Sequence, residues 1–226
     1  DRFGPRLYSG GLRVQTTLDM DIQRAARAAM ERGWERLEEA GARGPKFTAV
    51  MDDGGTEGAE TQYIQGAFVA IDPATGAIRP LIGGRDYGDS KFNRATQAVR
   101  QPGSTFKPFV YLSALESGIP ASHVMYDAPL MIEMENGEVY SPDNYDPEFR
   151  GPLTLRDALK WSVNTIAVKL GMEVGMETVA QTARRMGIRT DIPAYPSTAI
   201  GAAGVIPLQL AESYATIANA GVHVQP

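Results

Sequence analysis

The segment QPGSTFKPF, residues 101–109, places a serine between a Pro-Gly pair and an apolar helical run, with a lysine three residues after the serine. Two interpretations fit this pattern. In the first, Ser104 caps a helix and Lys107 is an exposed lysine one turn further on. In the second, they are a nucleophile and its base, because positions i and i+3 share one helix face and burial would keep the amine neutral. About one Ser-x-x-Lys pair is expected by chance in a chain of this length, so the pair alone does not decide.

A second polar interruption stands in KWSVNTIAVKL, residues 160–170. Ser162 and Asn164 are polar where the apolar stripe of a helix should pass, and both residue types compete for backbone hydrogen bonds and favour a helix break. A simple junction between two helices would explain this. The functional interpretation is a second hydroxyl that relays a proton, with an amide beside it that holds a substrate carbonyl or stabilises the lysine.

The composition narrows the function classes. The 226 residues carry a net charge of -5 and no cysteine, and 43% of them are hydrophobic. An acidic chain without a Lys/Arg cluster does not predict binding to nucleic acid. The missing cysteines exclude disulfides, thiolate metal sites and a cysteine nucleophile. His123 and His223 stand alone in sequence, and neither predicts a catalytic role or a metal site.

The first third of the chain predicts a long helix and a β-hairpin. Residues 11–41 indicate a short strand, a cap at Asp19 or Asp21 and a helix that Gly41 ends. Residues 42–62 predict a polar, glycine-rich loop. In residues 65–84, two apolar runs flank Asp-Pro-Ala-Thr-Gly, which predicts a hairpin.

Local signals extend this prediction to an α+β fold. Pro80 lacks an N–H and marks its strand as an edge or a bulge. Helices are then predicted from Ser104 to Gly118, after a capping box at Thr154, and in three later segments. A hairpin followed by a series of helices is typical of the α+β class.

The two polar elements resemble the first two motifs of the penicillin-recognising serine acyltransferases: Ser104-Thr-Phe-Lys107, then Ser162-Val-Asn164. The flanks are similar to the transpeptidase domain of bifunctional (class A) penicillin-binding proteins, over nearly the whole chain and least around residues 42–62. The stretches that carry the resemblance are GLRVQTTLDMDIQRAA, AIDPATGAIRPLIGGRDY, FNRATQAVRQPGSTFKPFVYLSALE, GPLTLRDALKWSVNTIAVKLG and GVIPLQLAESYATIANAG.

The resemblance implies a fold and a division of the chain. The expected fold is an antiparallel sheet flanked by helices, with an all-helical subdomain. Residues 1–65 would be a linker and leading segment that contains the long helix. Residues 66–226 would be the hairpin and helical subdomain of the transpeptidase domain.

The resemblance also implies DD-transpeptidation of peptidoglycan stem peptides, with β-lactam antibiotics acylating the same serine. Ser104 would attack the carbonyl between two terminal D-alanines, Lys107 would take its proton, and Ser162 would relay that proton to the departing amine. Asn164 would bind the substrate backbone and help to position Lys107. No metal or organic cofactor is expected.

Further expectations concern the cleft and the cell. Tyr145 and Asn144, in VYSPDNYDPEFRG, match a family segment near the cleft and are candidates for substrate binding. The implied partners are an upstream glycosyltransferase domain and cell-wall assembly proteins. The implied location is extracytoplasmic, in the periplasm or on the outer face of the bacterial inner membrane, with an anchor in a part outside this chain.

One departure from the family pattern is that its third motif, Lys-Thr-Gly or Lys-Ser-Gly, does not occur in the chain. In the family that motif lies on a strand that lines the site. The sequence is therefore interpreted as a slice of a longer polypeptide that ends before the motif. We expect the slice alone to be inactive.

Three alternatives stay open at this point. A serine β-lactamase is disfavoured, because class D enzymes carry an aliphatic residue where Asn164 stands. Class A β-lactamases need a glutamate in a loop after the second motif, and RTDIPAYPSTAIGAAG has none. A β-lactam sensor domain would differ in its neighbouring sequence. A wall-assembly scaffold would have no need of the Ser104, Lys107, Ser162 and Asn164 set.

Overall fold

The computed structural model describes residues 4–42, 44–54, 61–134, 136–146 and 148–226. The helices in that part of the chain are α1 (Arg6–Ser9), α2 (Met20–Glu39), α3 (Phe47–Asp52), α4 (Lys107–Glu116), α5 (Leu155–Lys160), α6 (Asn164–Val174), α7 (Met176–Arg185) and α8 (Pro207–Ala218). The strands are β1 (Phe68–Ile71), β2 (Ile78–Ile82), β3 (Val124–Asp127), β4 (Ile132–Glu133), β5 (Val139–Tyr140) and β6 (Gly151–Thr154). Two 3₁₀ helices cover Gly103–Phe106 and Pro196–Ile200.

The predicted hairpin is confirmed as the antiparallel pair β1–β2. Helix α2 packs against β2, and α8 packs against β1. The pairing register shifts between Val69 and Ile71, opposite the part of β2 that contains Pro80. Because proline cannot donate a ladder hydrogen bond, a bulge is the expected response, as the sequence predicted. The other described strands form two further two-stranded sheets, β3–β6 and β4–β5.

Helix α2 begins and ends where its local signals predict. The Asp19 carboxylate accepts hydrogen bonds from two backbone N–H groups of the first turn, at 3.0 and 3.1 Å. The helix ends at Glu39, and Gly41 follows in the left-handed region with φ of 80°. Its buried side chains, Ala26 and Trp34, pack against the hairpin. The cap and the glycine stop of α2 therefore match the prediction.

The short strand predicted before α2 does not form. The outer edge of β2 receives one backbone hydrogen bond there, from Asp19 N to Arg79 O at 2.9 Å. The next position on that edge, Leu81, is bonded by the side-chain amide of Gln23, which accepts from Leu81 N at 2.9 Å and donates to Leu81 O at 3.1 Å. The amide occupies the place that a further strand residue would take.

Arg85 fixes α2 and α3 to the end of the hairpin. Its guanidinium lies over the rings of Trp34 and Phe47, at 5.2 and 4.5 Å from their centroids, and forms an ion pair with Glu38. A buried arginine that is both stacked and ion-paired is a strong local anchor. The sequence did not predict α3. The glycine-rich loop predicted in the same region, residues 42–62, lies partly outside the described residues.

The main core is helical, and α4 runs through it. Lys107 is the first residue of α4, and the side chains behind it are apolar on nearly every face. A helix that is apolar all round is buried, and α6, α7 and the 3₁₀ helix Pro196–Ile200 pack around this one. The core residues with no exposed surface are Phe106, Phe109, Val110, Ala114, Ala158, Ile166, Ala167, Val168, Leu170, Val179, Ala180, Ala183 and Ala199.

The predicted cap of α5 is also confirmed. Thr154 Oγ1 accepts from Asp157 N at 3.1 Å and donates to the Asp157 carboxylate at 2.6 Å. Helix α5 ends at Lys160 and α6 begins at Asn164, so Ser162 lies in a helix junction and Asn164 is the first residue of the next helix. No helix in the described ranges is long and apolar enough to cross a membrane. The division of the chain at residues 65/66 stays a prediction.

Candidate active site

Ser104 lies in the tight turn that leads into α4. It is the second residue of the 3₁₀ helix Gly103–Phe106, and the backbone N–H of Lys107 donates to its carbonyl oxygen. In a 3₁₀ helix residues i and i+3 are eclipsed, so Ser104 and Lys107 stand on the same face. The serine is exposed, and its hydroxyl makes no hydrogen bond within the described part of the chain. The interpretation of Ser104 as a side-chain cap is therefore wrong.

Lys107 is fully buried, with 0% of its surface exposed. Its Nζ donates to three oxygens: Ser162 O at 2.5 Å, Ser162 Oγ at 3.0 Å and Asn164 Oδ1 at 2.6 Å. Burial lowers the pKa of Lys107 from its ordinary value to about 8, because desolvation penalises the ammonium. At pH 7 about one lysine in ten is then neutral. The capping interpretation predicted an exposed lysine, and it is wrong because Lys107 is buried.

Ser162 owes its position to an unusual backbone conformation. Its φ is 54°, in the left-handed region that costs a residue with a Cβ roughly 1–2 kcal/mol. This conformation turns the chain between α5 and α6 and presents both the carbonyl and the hydroxyl of Ser162 to Lys107. Strain of this kind persists only where the surrounding structure holds it.

Asn164 begins α6 and has both ends of its side-chain amide occupied. Its Oδ1 accepts from Lys107 Nζ at 2.6 Å, and its Nδ2 donates to Asp143 O at 2.7 Å. The carbonyl of Ser162 and the amide oxygen of Asn164 can only accept hydrogen bonds. A neutral Lys107 therefore donates its two N–H groups to these two oxygens, and its lone pair faces the hydroxyl of Ser162.

The two additional candidates are placed differently from each other. Asn144 is half-buried, and its Oδ1 accepts from Asn164 N at 2.9 Å and from Thr165 N at 3.4 Å. Asn144 therefore caps the first turn of α6. Tyr145 is fully exposed at 104% relative exposure. Its hydroxyl makes no bond to the described residues around Lys107.

A distant segment holds the turn that carries Ser104, and the sequence did not predict it. Arg100 and Val205 form a pair of backbone hydrogen bonds at 3.0 and 2.9 Å. Gly103 N donates to Gly201 O at 3.2 Å. A Cβ on Gly201 would lie 2.0 Å from Gly103 O, so only glycine permits this approach. The glycines in TAIGAAGV, residues 198–205, are the sequence feature that could have predicted this close approach.

Comparison with known proteins identifies the family of the chain. Residues 66–226, which contain every element of the site, match the penicillin binding protein transpeptidase domain. The chain belongs to this family. It is 41% identical over 219 residues to penicillin-binding protein 1A of Neisseria meningitidis, covering 95% of this chain and 27% of that relative. It is 35% identical over 223 residues to penicillin-binding protein 2D of Bacillus subtilis, covering 98% of this chain and 29% of that relative.

Two solved structures of penicillin-binding proteins share the fold of this penicillin-binding transpeptidase domain. Penicillin-binding protein 1A of Haemophilus influenzae superposes with a TM-score of 0.69 at 36% identity, over 74% of this chain and 26% of that one. PonA1 of Mycobacterium tuberculosis in complex with penicillin V gives a TM-score of 0.76 at 28% identity, over all of this chain and 56% of that one. The predicted family and the predicted α+β class are confirmed.

Proposed function

We propose that this domain carries the acyl-transfer site of a peptidoglycan DD-transpeptidase, with Ser104 as nucleophile and Lys107 as its base. The observation that carries the proposal is Lys107: it is completely buried, its pKa is lowered to about 8, and it shares a helix face with an exposed serine. A buried lysine of lowered pKa beside a free hydroxyl is the arrangement that activates a serine without histidine.

The acylation step follows from these positions. The Ser104 hydroxyl gives its proton to neutral Lys107 as its oxygen forms a bond to the carbonyl carbon between the two terminal D-alanines. The C–N bond then breaks, and the departing D-alanine amine takes a proton from the Ser162 hydroxyl, which Lys107 replenishes. Ser162 suits this relay because its Oγ lies 3.0 Å from Lys107 Nζ. The product is an acyl ester on Ser104.

The second step transfers the acyl group. The amine of a neighbouring stem peptide attacks the ester carbonyl and loses a proton to Lys107. The C–O bond to Ser104 breaks, and the serine oxygen recovers a proton from the lysine. A β-lactam, whose ring amide resembles the terminal dipeptide, acylates the same serine in the first step. The solved relative in complex with penicillin V supports this second class of ligand.

The cellular setting belongs to the same proposal. Peptidoglycan is outside the cytoplasm, so the site works there, in the periplasm or on the outer face of the inner membrane. An associated glycosyltransferase domain and cell-wall assembly proteins are the expected partners. Asn164 contacts Lys107 directly and donates one of its two amide N–H groups to Asp143 O, which leaves the second for the substrate backbone; the exposed Tyr145 is a further candidate contact for the substrate. For Asn144 a supporting role fits better, because its amide links Asp127 to the start of α6 rather than to Lys107.

The test is covalent labelling of the natural full-length polypeptide by a fluorescent penicillin. We expect Ser104→Ala to abolish labelling, and Lys107→Ala to slow it by about 10²–10⁴-fold, the usual worth of general-base catalysis. Ser117→Ala, at the exposed position just after the end of the same helix, and Lys91→Ala, a surface lysine, are matched controls that should label normally. Labelling that survives Ser104→Ala would refute the proposal. Rapid turnover of a chromogenic cephalosporin would favour a β-lactamase.

A further inference from the structure

Asp127, the last residue of β3, is a buried carboxylate that the proposed reaction does not use. Only 2% of its surface is exposed. It accepts three hydrogen bonds: from Thr165 Oγ1 at 2.6 Å, from Asn144 Nδ2 at 2.8 Å and from Arg150 N at 2.9 Å. Burial raises the pKa of Asp127, but these three bonds and the charge of Lys169 together outweigh it and leave the pKa below its ordinary value. Asp127 is therefore an ionised group that can only accept.

This acceptor fixes which way the Asn144 amide points. An asparagine amide can bond in two orientations, with its oxygen and nitrogen exchanged. Because Nδ2 must face the Asp127 carboxylate, Oδ1 must face the opposite side, where the N–H groups of Asn164 and Thr165 lie. The orientation of the amide is thus determined by Asp127.

The N–H groups that Asn144 bonds are those of the first turn of α6. Such groups have no partner within their own helix, and here the residue at the cap position, Val163, offers no side-chain hydrogen bond. Asn144 supplies the missing cap from another part of the chain. The cap bears directly on Asn164, whose side chain in turn holds Lys107 Nζ at 2.6 Å.

We propose that Asp127 is a positioning residue for the Ser104 reaction, acting through Asn144 and Asn164 on the buried amine of Lys107. The inference rests on the proposed function, since it gives Asp127 a role only if Lys107 is the base. A second carboxylate in the same region, Asp146, is exposed; among the described residues it pairs with the Arg150 side chain at 3.1 Å and accepts from Glu148 N at 3.4 Å. Lys169, which donates to Tyr126 O at 2.7 Å, is the charged group that acts on Asp127, and its positive charge lowers the pKa of that carboxylate.

Asp127→Asn tests the inference with little change of volume. An amide at this position presents an NH₂ either to Arg150 N–H or to Asn144 Nδ2, so one donor faces another. When Asn144 turns to relieve this, its own NH₂ faces the N–H groups of α6. The start of α6 then loosens and water reaches Lys107. We expect the acylation rate constant to fall by about tenfold to a hundredfold, the usual effect of a small misplacement.

The readout that separates positioning from general stability is the pH profile of acylation. Hydration of Lys107 restores its ammonium, so the midpoint of the profile in Asp127→Asn should move to higher pH than in wild type. Asp146→Asn should leave both rate and midpoint unchanged. Asn144→Ala should reproduce the midpoint shift, and the double variant should add little to either single one, because both remove the same link.

The outcomes distinguish this inference from the proposed function. If wild type labels and Lys107→Ala is slow, but Asp127→Asn keeps the wild-type rate and midpoint, the inference is overturned and the proposed function stands. A lower rate with an unmoved midpoint also overturns it, since that is the effect of stability alone. If Asp127→Asn does not fold, Asn144→Ala decides by the same two measurements. If wild type does not label, the proposed function fails first.

Discussion

The Nζ of Lys107 lies 3.0 Å from the Oγ of Ser162, whereas the hydroxyl of Ser104 has no hydrogen bond within the described residues. Lys107, the proposed base, is therefore hydrogen-bonded to the second serine and not to the first. Hydrogen bonds to a nucleophile often tighten only when substrate is bound, so this geometry is compatible with proton transfer from Ser104. The arrangement makes Ser162 a direct neighbour of the proposed base.

The first prediction concerns pH. Only neutral Lys107 can accept a proton, and its pKa of about 8 means that the ammonium dominates below that pH. The rate of acylation by a fluorescent penicillin should rise about tenfold per pH unit below the pKa and level off above about pH 8. Lys107→Ala should remove this rise. A wild-type rate that falls between about pH 6 and about pH 8 would contradict the assignment of the base.

The second prediction uses the strained backbone of Ser162. Ser162→Ala and Ser162→Gly both remove the hydroxyl, and both should slow acylation to a similar extent if the hydroxyl relays the proton. Their stabilities should differ, because glycine adopts a φ of 54° freely and alanine does not. We expect the free energy of unfolding to be about 1 kcal/mol higher for Ser162→Gly than for Ser162→Ala. Denaturant unfolding measures this difference.

Equal stability of the two Ser162 variants would mean that the left-handed conformation is not held in solution. If the two variants lose acylation to different extents, the backbone conformation of residue 162 contributes to the rate in addition to the hydroxyl. In that case the carbonyl of Ser162, which Lys107 Nζ contacts at 2.5 Å, would be the more important partner.

The third prediction places a charge beside the base. Asn164→Asp has almost the same shape, but it puts a carboxylate where Asn164 Oδ1 now lies 2.6 Å from Lys107 Nζ. A nearby negative charge favours the ammonium and raises the pKa of Lys107. Acylation at neutral pH should therefore fall by at least about tenfold, and the midpoint of the pH profile should move upward.

Asn164→Ala is the comparison for this variant, since it removes the amide without adding charge. It should slow acylation without the upward shift that an ion pair produces. A midpoint for Asn164→Asp at or below that of wild type would show that residue 164 is not in electrostatic contact with the base.

The sequence predicted the parts of this structure that are encoded locally. The cap at Asp19, the hairpin turn and the Thr154–Asp157 cap depend on residues within a few positions of one another, and all three are found. The strands of the two smaller sheets are two to four residues long, too short for any period to be recognised. They were missed for that reason.

The candidate site divides in the same way. Ser104, Lys107, Ser162 and Asn164 could be proposed from the sequence because they form two compact patterns, and the structure brings the last three into hydrogen-bond contact. The cap that Asn144 gives to Asn164 spans 20 positions, and no local pattern specifies it. A contact of this kind depends on two separate segments folding against each other, and the residue types alone allow several other partners.

The final prediction concerns the contact between Gly201 and Gly103, which holds the Ser104 turn in place. Gly201→Ala introduces two costs: a left-handed φ of 79° at a residue with a Cβ, and an overlap of that Cβ with Gly103 O at 2.0 Å. Because the atom in the way is backbone, relief requires the two segments to separate. We expect acylation to fall by about tenfold to a hundredfold as Ser104 shifts.

Gly137→Ala is the matched control: its φ is 80°, but its Cβ would meet nothing within 4 Å. Gly137→Ala should lose only about 1–2 kcal/mol of unfolding free energy, because of backbone strain, and it should label at the normal rate. Equal labelling rates for the two variants would mean that the approach of Gly201 does not hold the nucleophile.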